Sequence, residues 1–209
     1  MQGTIPQKVG RLVGNLITNP KYLPRYFPHN VFNQSSPLDL ELPWFSYAAI
    51  DFLKGFLKPT MQVCEYGSGG STLFFARRVR FVRSIEDNPE WFERVSRTLK
   101  EKAVLNVELT VHPFDFKNPV GFEKSDYLHA LDKGEWDVIV VDTSEEWVQV
   151  RPICFAHAEK FVKPGGIIVV DDSWRYAGLR EHSRATRVER FQSVGPGRPG
   201  VTSTDVFFY

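Results

Sequence analysis

The sequence predicts an α/β fold: a doubly wound, mostly parallel seven-stranded sheet that ends in an antiparallel C-terminal hairpin. Three observations predict it. Apolar runs of strand length alternate with helical patterns from residue 46 to about 183, the texture of a parallel sheet with crossover helices. Residues 137–142 (DVIVVD) and 167–171 (IIVVD) are apolar almost throughout, as strands covered on both faces must be. The last two strand-like runs, 187–194 and 202–209, are joined by GPGRPG with no helix between them, so they pair antiparallel.

Each element has a local reason. In the first 43 residues Pro20, Pro24, Pro28, Pro37 and Pro43 exclude one long helix and leave room for a short one over 7–18. Ser46 caps an amphipathic helix that ends before Pro59. Residues 61–66 (MQVCEY) form the first strand, 71–79 a helix and 81–86 the second strand. The helix over 89–102 has Asn88 as N-cap, Pro89 at its first position and Glu90 in its first turn. Its apolar stripe is Trp91, Phe92, Val95 and Leu99, and Glu90–Arg94 and Glu93–Arg97 are favourable i,i+4 pairs. Then come a third strand at 107–112, a short helix near 125–132, the fourth strand, a helix at about 147–162, a Lys-Pro-Gly-Gly turn and the fifth strand.

A length of 209 residues fits one domain, read as 44–209, with an N-terminal extension of 1–43. Hydrophobic residues at 42% and charged ones at 24% exclude a disordered chain or a rod. A net charge of +1 argues against nucleic-acid binding through bulk charge, and no nucleic-acid partner is expected. The balance is uneven: residues 1–30 carry +4, residues 175–198 another +4, and the remainder −7. The six arginines of 175–198 would suit an anionic acceptor or a solvated basic face. The extension, with Leu12, Leu16, Tyr22 and Phe27 among its cations, would suit a second copy, an anionic membrane surface, or packing over its own domain. Cys64 and Cys154 lie in apolar stretches and read as buried free thiols. No apolar run reaches the ~18 residues of a membrane span, and the N-terminus lacks a signal-peptide pattern, so the expected compartment is cytoplasmic.

The chemistry is expected outside the carboxyl ends of the strands. An acid stands at or just beyond each one: Glu65, Glu86-Asp87, Asp115, Asp142 and Asp171-Asp172. Carboxylates gathered on one edge repel each other, so a ligand bearing hydroxyls, amines or a cation accounts for them better than packing does. After Glu65 comes Tyr66-Gly67-Ser68-Gly69-Gly70-Ser71, in which Gly67 and Gly69 permit a tight turn and close backbone approach, and Ser71 is placed to cap the next helix. Nineteen residues separate Gly67 from Glu86, close to the spacing of an acid that holds a ribose diol. The dinucleotide pattern G-x-G-x-x-G fails at Thr72, whereas E-x-G-x-G fits Glu65 to Gly69. An acid two residues before the first glycine would repel a pyrophosphate and attract an amino group.

These residues resemble the class I S-adenosylmethionine-dependent methyltransferases. CEYGSGGS is similar to their first motif, SIEDNPEW to the acidic end of their second strand, WDVIVVD to their fourth strand, and KPGGIIVVDD to their fifth. The resemblance covers roughly 44–209 and implies a Rossmann-like methyltransferase fold. It also implies S-adenosylmethionine as cofactor and S-adenosylhomocysteine as product. By position, Glu65 would anchor the methionyl amine; Gly67, Ser68, Gly69 and Ser71 would line the cofactor; Glu86 would hold the ribose. Asp115 would lie near the adenine amino group and Asp142 beside the methionine part. Asp142 and Asp172 would position the acceptor or take its proton.

In the catechol-type relatives a metal is held at the ends of strands four and five. Asp142, Asp171 and Asp172 supply oxygens that would suit Mg²⁺. Two departures weigh against it: Asp172 stands where those enzymes have Asn, and their lysine after strand four is replaced by Thr143. A divalent metal is therefore not favoured and no metal ligand is assigned. His112 and His182 are alternative bases, while His29, His129 and His157 read as surface or helix residues. Trp44, Trp147 and Trp174 read as core residues or as walls of an acceptor pocket. The reading is thus methyl transfer, O-directed, onto a small-molecule or sugar-like acceptor. Its rivals are a nicotinamide-dependent oxidoreductase on the same sheet and a non-catalytic subunit that binds the cofactor.

Overall fold

The computed structural model describes residues 3–32, 36–132 and 134–209. One seven-stranded sheet runs through it: β1 (Gln62–Tyr66), β2 (Phe81–Glu86), β3 (Val107–Val111), β4 (Trp136–Val141), β5 (Val162–Val170), β6 (Arg187–Val194) and β7 (Val201–Phe208). The spatial order is β3-β2-β1-β4-β5-β7-β6. Strands β1 to β5 are parallel, and β7 pairs antiparallel with both β5 and β6. The order reverses between β1 and β4, and there the loops at their carboxyl ends diverge into a crevice.

Strand alternation sorts the core into two layers. Val63, Val138, Val140, Ile167 and Val169 face one side, packed against α4 (Tyr47–Phe56) and α5 (Gly70–Ala76). Cys64, Tyr66, Ile139, Val141, Ile168 and Val170 face the other, packed against α8 (Val150–Ala158). Both cysteines are buried and free. Leu38 of α3 (Pro37–Leu40) joins Leu73, Val95 and Leu99 in a third cluster beneath α6 (Pro89–Glu101).

The caps fall where the residue types place them. Ser46 accepts from the Ala49 N–H, and Asn88 accepts from the Trp91 N–H with Pro89 next in line. The extension begins with α1 (Ile5–Thr18), where the Thr4 N–H donates to Gln7, and then breaks at its prolines into α2 (Leu23–Phe27) and short turns. It is tied to α4 by a bidentate Arg25–Asp51 pair at 2.7 Å and to the β6–β7 turn by Asn30 Nδ2 and Tyr26 Oη, which donate to Gly195 and Pro199 carbonyls. The extension thus buttresses the β6–β7 turn. Ile5, Val9, Val13 and Ile17 of α1 stay exposed. No helix among the described residues is long and apolar enough to cross a membrane.

Three boundaries differ from expectation. The helix after β4 is shorter than 147–162, because residues 143–149 form an irregular loop over the crevice. Strand β5 begins at Val162 rather than 167, pairing with Trp136 before a register shift near Gly165, whose φ is +80°. The segment near 125–132 is not one helix but α7 (Asp126–His129) between two 3₁₀ turns, with Ser125 capping α7. The final helix, α9 (Leu179–His182), is one turn long.

Candidate active site

A cleft of about 910 Å³ opens at the carboxyl ends of β1, β2, β4 and β5. Gly67, Ser68, Gly69, Ser71, Glu86, Asp142 and Asp172 all line it. Glu65 lies beneath its floor and is 1% exposed. Asp115 is not among the lining residues. It is exposed and accepts from the Lys117 N–H, closing its own turn.

The glycine half of the cleft is built on neutral donors. Gly67 has φ +95°, and a Cβ there would sit 2.5 Å from the Asp142 carbonyl oxygen, so β1 and β4 come this close only with glycine. The helix cap is made by Gly69, not Ser71. The Gly69 N–H donates to Thr72 Oγ1, which donates in turn to Glu65 Oε1 at 2.5 Å. Thr72, the residue that broke the dinucleotide pattern, is therefore the link between turn and acid. Ser84 Oγ also donates to Glu65 Oε1, at 2.6 Å. The second oxygen, Oε2, is buried with no hydrogen bond of ordinary geometry among the described residues, though the Ser71 hydroxyl is near enough to favour the ionised form. Burial pushes the Glu65 carboxyl up to about 7, against the pull of its hydroxyl donors. Glu86 accepts from Ser68 Oγ and from the Asn88 N–H, and burial raises it too. Trp91 Nε1 donates to the Ser68 carbonyl at 2.8 Å and lays its ring against Gly69.

The other half is an ion-pair lattice. Arg151, nearly fully buried at the start of α8, donates to the Thr143 and Asp171 carbonyls and lies 2.9 Å from Asp142. Arg198, from the β6–β7 turn, reaches Asp172 at 2.7 Å and Asp171 at 3.5 Å. Asp172 sits in the left-handed region at φ 49°, and its Oδ1 also accepts from Thr202 Oγ1 and Trp174 Nε1. Burial opposes its ionisation, but Arg198 and Thr202 outweigh burial and hold the carboxyl well below the usual range. Asp142 goes the other way: burial raises it despite Arg151 and Arg198. Burial and the Asp172 carboxylate raise Glu145, which pairs with Arg175 at 3.0 Å at the rim.

No protein-family model matches the sequence, and no curated protein matches it. Solved structures do. The O-methyltransferase TomG from Streptomyces achromogenes, involved in tomaymycin synthesis and solved with SAM, superposes at TM-score 0.60 and 18% identity, covering 97% of this chain and 98% of that one. Cofactor-bound Rv0187 from MTB gives 0.57 at 21%, covering 100% and 98%. An rRNA methylase from Streptococcus thermophilus gives 0.56 at 13%, covering 83% and 97%. The chain has the class I methyltransferase fold.

Within this methyltransferase fold the sequence motifs converge as their order along the strands implies, Asp115 apart. The basic segment does not form a free anion site: Arg175, Arg180, Arg184, Arg187, Arg190 and Arg198 each face a carboxylate. Trp44 and Trp174 wall the cleft, whereas Trp147, half-buried, packs against Phe122 at the edge of the core. Trp91, Arg151, Arg198 and Thr72 were not singled out as site residues from sequence. Arg151 had a signal, since it is the sole Arg or Lys in the apolar run VRPICFAHA. Arg198 had a weaker one, an arginine inside a glycine-proline turn.

Proposed function

We propose that this chain transfers a methyl group from S-adenosylmethionine to a hydroxyl group of a small molecule, leaving S-adenosylhomocysteine. One observation carries the reading: Glu65 presents a buried, unpartnered carboxylate oxygen directly beneath the glycine turn. A buried anionic oxygen without a donor is costly, and a ligand ammonium is the group that would satisfy it. A pyrophosphate, as in a nicotinamide dinucleotide, would make it worse.

In this reading Gly67 and Gly69 let the cofactor lie against bare backbone, Ser68 and Ser71 supply polar wall atoms, and Glu86 receives ribose hydroxyls. Asp115 is left out of the site. When bound, S-adenosylmethionine supplies a methyl group already activated by its sulfonium. The protein's remaining tasks are to align the acceptor, exclude water and take a proton. Asp142 is assigned the proton, because burial makes its carboxylate a stronger base than an exposed one. Asp172 is assigned positioning: saturated by Arg198, Thr202 and Trp174, it is a poor base and a firm anchor. Trp44 and Trp174 would flank the acceptor.

The test is transfer of labelled methyl from S-adenosylmethionine to a panel of hydroxylated small molecules, with S-adenosylhomocysteine and NAD binding measured alongside. Labelled product supports the reading. Tighter binding of NAD than of S-adenosylhomocysteine would favour the oxidoreductase. Cofactor binding with no transfer to any acceptor would favour a non-catalytic subunit.

A further inference from the structure

Away from the cleft, at the end of α8 opposite Arg151, three side chains converge. His129 ends α7, Asp132 follows it by three residues, and His157 lies near the end of α8. One ring nitrogen from each histidine and a carboxylate oxygen of Asp132 all lie within 4.8 Å of one another. We propose that these three residues bind a divalent transition-metal ion, with zinc as the best match to two imidazoles and one carboxylate.

The orientation of His129 is the main argument. Its far nitrogen, Nε2, faces the Glu123 carbonyl oxygen at 3.0 Å, an atom that only accepts, so Nε2 carries the proton. Nδ1 then faces Asp132 Oδ2 at 2.7 Å. A neutral ring would oppose a lone pair to a carboxylate, so a cation belongs between them, either a second proton or a metal. A backbone carbonyl behind the ring is also how metal-ligating histidines are commonly oriented. His157 Nε2 faces the other oxygen, Asp132 Oδ1, at 2.5 Å. The His157 ring is held between Phe161 and His129, with centroids at 5.3 and 4.9 Å, so it is fixed in direction.

The fit needs little movement. Around tetrahedral zinc, ligand atoms about 2.0–2.2 Å from the metal stand roughly 3.3 Å apart. The two nitrogen–oxygen pairs must therefore open by less than about 1 Å while the widest separation among the ligand atoms, at most 4.8 Å, closes toward the same spacing, and Asp132, 36% exposed, has room to swing. The same exposure leaves a fourth position for water. A bound ion would staple the β3–β4 connection to α8, the helix that carries Arg151 into the cleft.

Chelator-stripped chain re-equilibrated with zinc sulfate is expected to keep one zinc per chain through gel filtration and to melt at a higher temperature. Binding should release protons, because the metal replaces the proton between His129 and Asp132. His129→Gln and Asp132→Asn should weaken zinc binding at least tenfold, while the exposed control His182→Gln should not. Substoichiometric zinc on the wild type, or equal retention by the site variants, overturns the site. If a variant fails to fold, ¹⁵N spectra of the wild-type imidazoles decide: zinc must shift His129 Nδ1 and His157 Nε2, and unchanged shifts overturn it.

Discussion

Two carboxylates from the two halves of the cleft, Glu65 and Asp172, are buried in opposite ways. On the glycine side, Glu65 is surrounded by hydroxyls and has no cation, so burial raises it to about 7 and one oxygen stays unpartnered. On the ion-pair side, Asp172 is buried almost as well but meets Arg198, Thr202 and Trp174, and it stays ionised. The contrast teaches that a row of acids at a sheet edge is not one feature. At Asp172 the protein's own guanidinium makes the acid architecture, whereas Asp142 and Asp171 also meet guanidinium groups and burial still raises both. At Glu65 the protein brings only neutral donors, and on that the proposed ligand ammonium rests.

The comparison breaks most visibly if the lattice is cut. Arg151→Met strands Asp142 and leaves the Thr143 and Asp171 carbonyls without their donor. Chemical denaturation should show a loss of about 3–5 kcal/mol, the usual cost of unpairing a buried ion pair. A loss under about 1 kcal/mol would mean the pairs are incidental. Asp142→Asn should leave S-adenosylhomocysteine affinity within a few-fold but lower turnover by about 10²–10⁴. Equal loss of both would move Asp142 from proton acceptor to cofactor anchor. On the other side, Gly67→Ala forces a Cβ against the Asp142 carbonyl at positive φ, and should cost about 2–3 kcal/mol in thermal or chemical denaturation.

Most of this cleft was legible in sequence because its glycine half is local. Glu65 and Glu86 sit at the ends of two adjacent strands and Gly67 and Gly69 in the turn after the first, so their spacing places them together. Thr72 was visible as a mismatch, but its hydroxyl relay to Glu65 depends on how the helix begins. The ion-pair half joins residues 142, 151, 172 and 198, whose contacts come from sheet order and hairpin closure, not from spacing. The +1 balance and the arginine count were therefore poor guides: the arginines of 175–198 are spent on Glu145, Glu159, Glu189, Asp171, Asp172 and Asp205. Asp115 is exposed, accepts from the Lys117 N–H and is not among the residues lining the cleft, because its position depends on the loop after β3 and not on strand spacing.

Two smaller effects sharpen the contrast. Glu65 binds its proton more tightly folded than unfolded, so its contribution to stability is fully present below about 4.5 and is lost as pH rises through about 7. A ligand ammonium needs the ionised form. S-adenosylhomocysteine affinity should therefore fall as pH drops below about 7, by no more than about tenfold per unit. Calorimetry from pH 8 to 6 checks this, and a flat profile would remove Glu65 from the binding step. Trp91→Phe deletes the bond to the Ser68 carbonyl and trims the ring that lies against Gly69, and should cost about 1–2 kcal/mol in denaturation.

The most direct measurement is a calorimetric titration of S-adenosylhomocysteine into the wild-type chain and into Glu65→Gln, which keeps the shape and removes the charge. The wild type should bind one equivalent, and the variant at least tenfold more weakly with its stability intact. No binding by the wild type at millimolar ligand, or equal binding by both chains, would contradict the claim that Glu65 is held unpaired for a ligand ammonium.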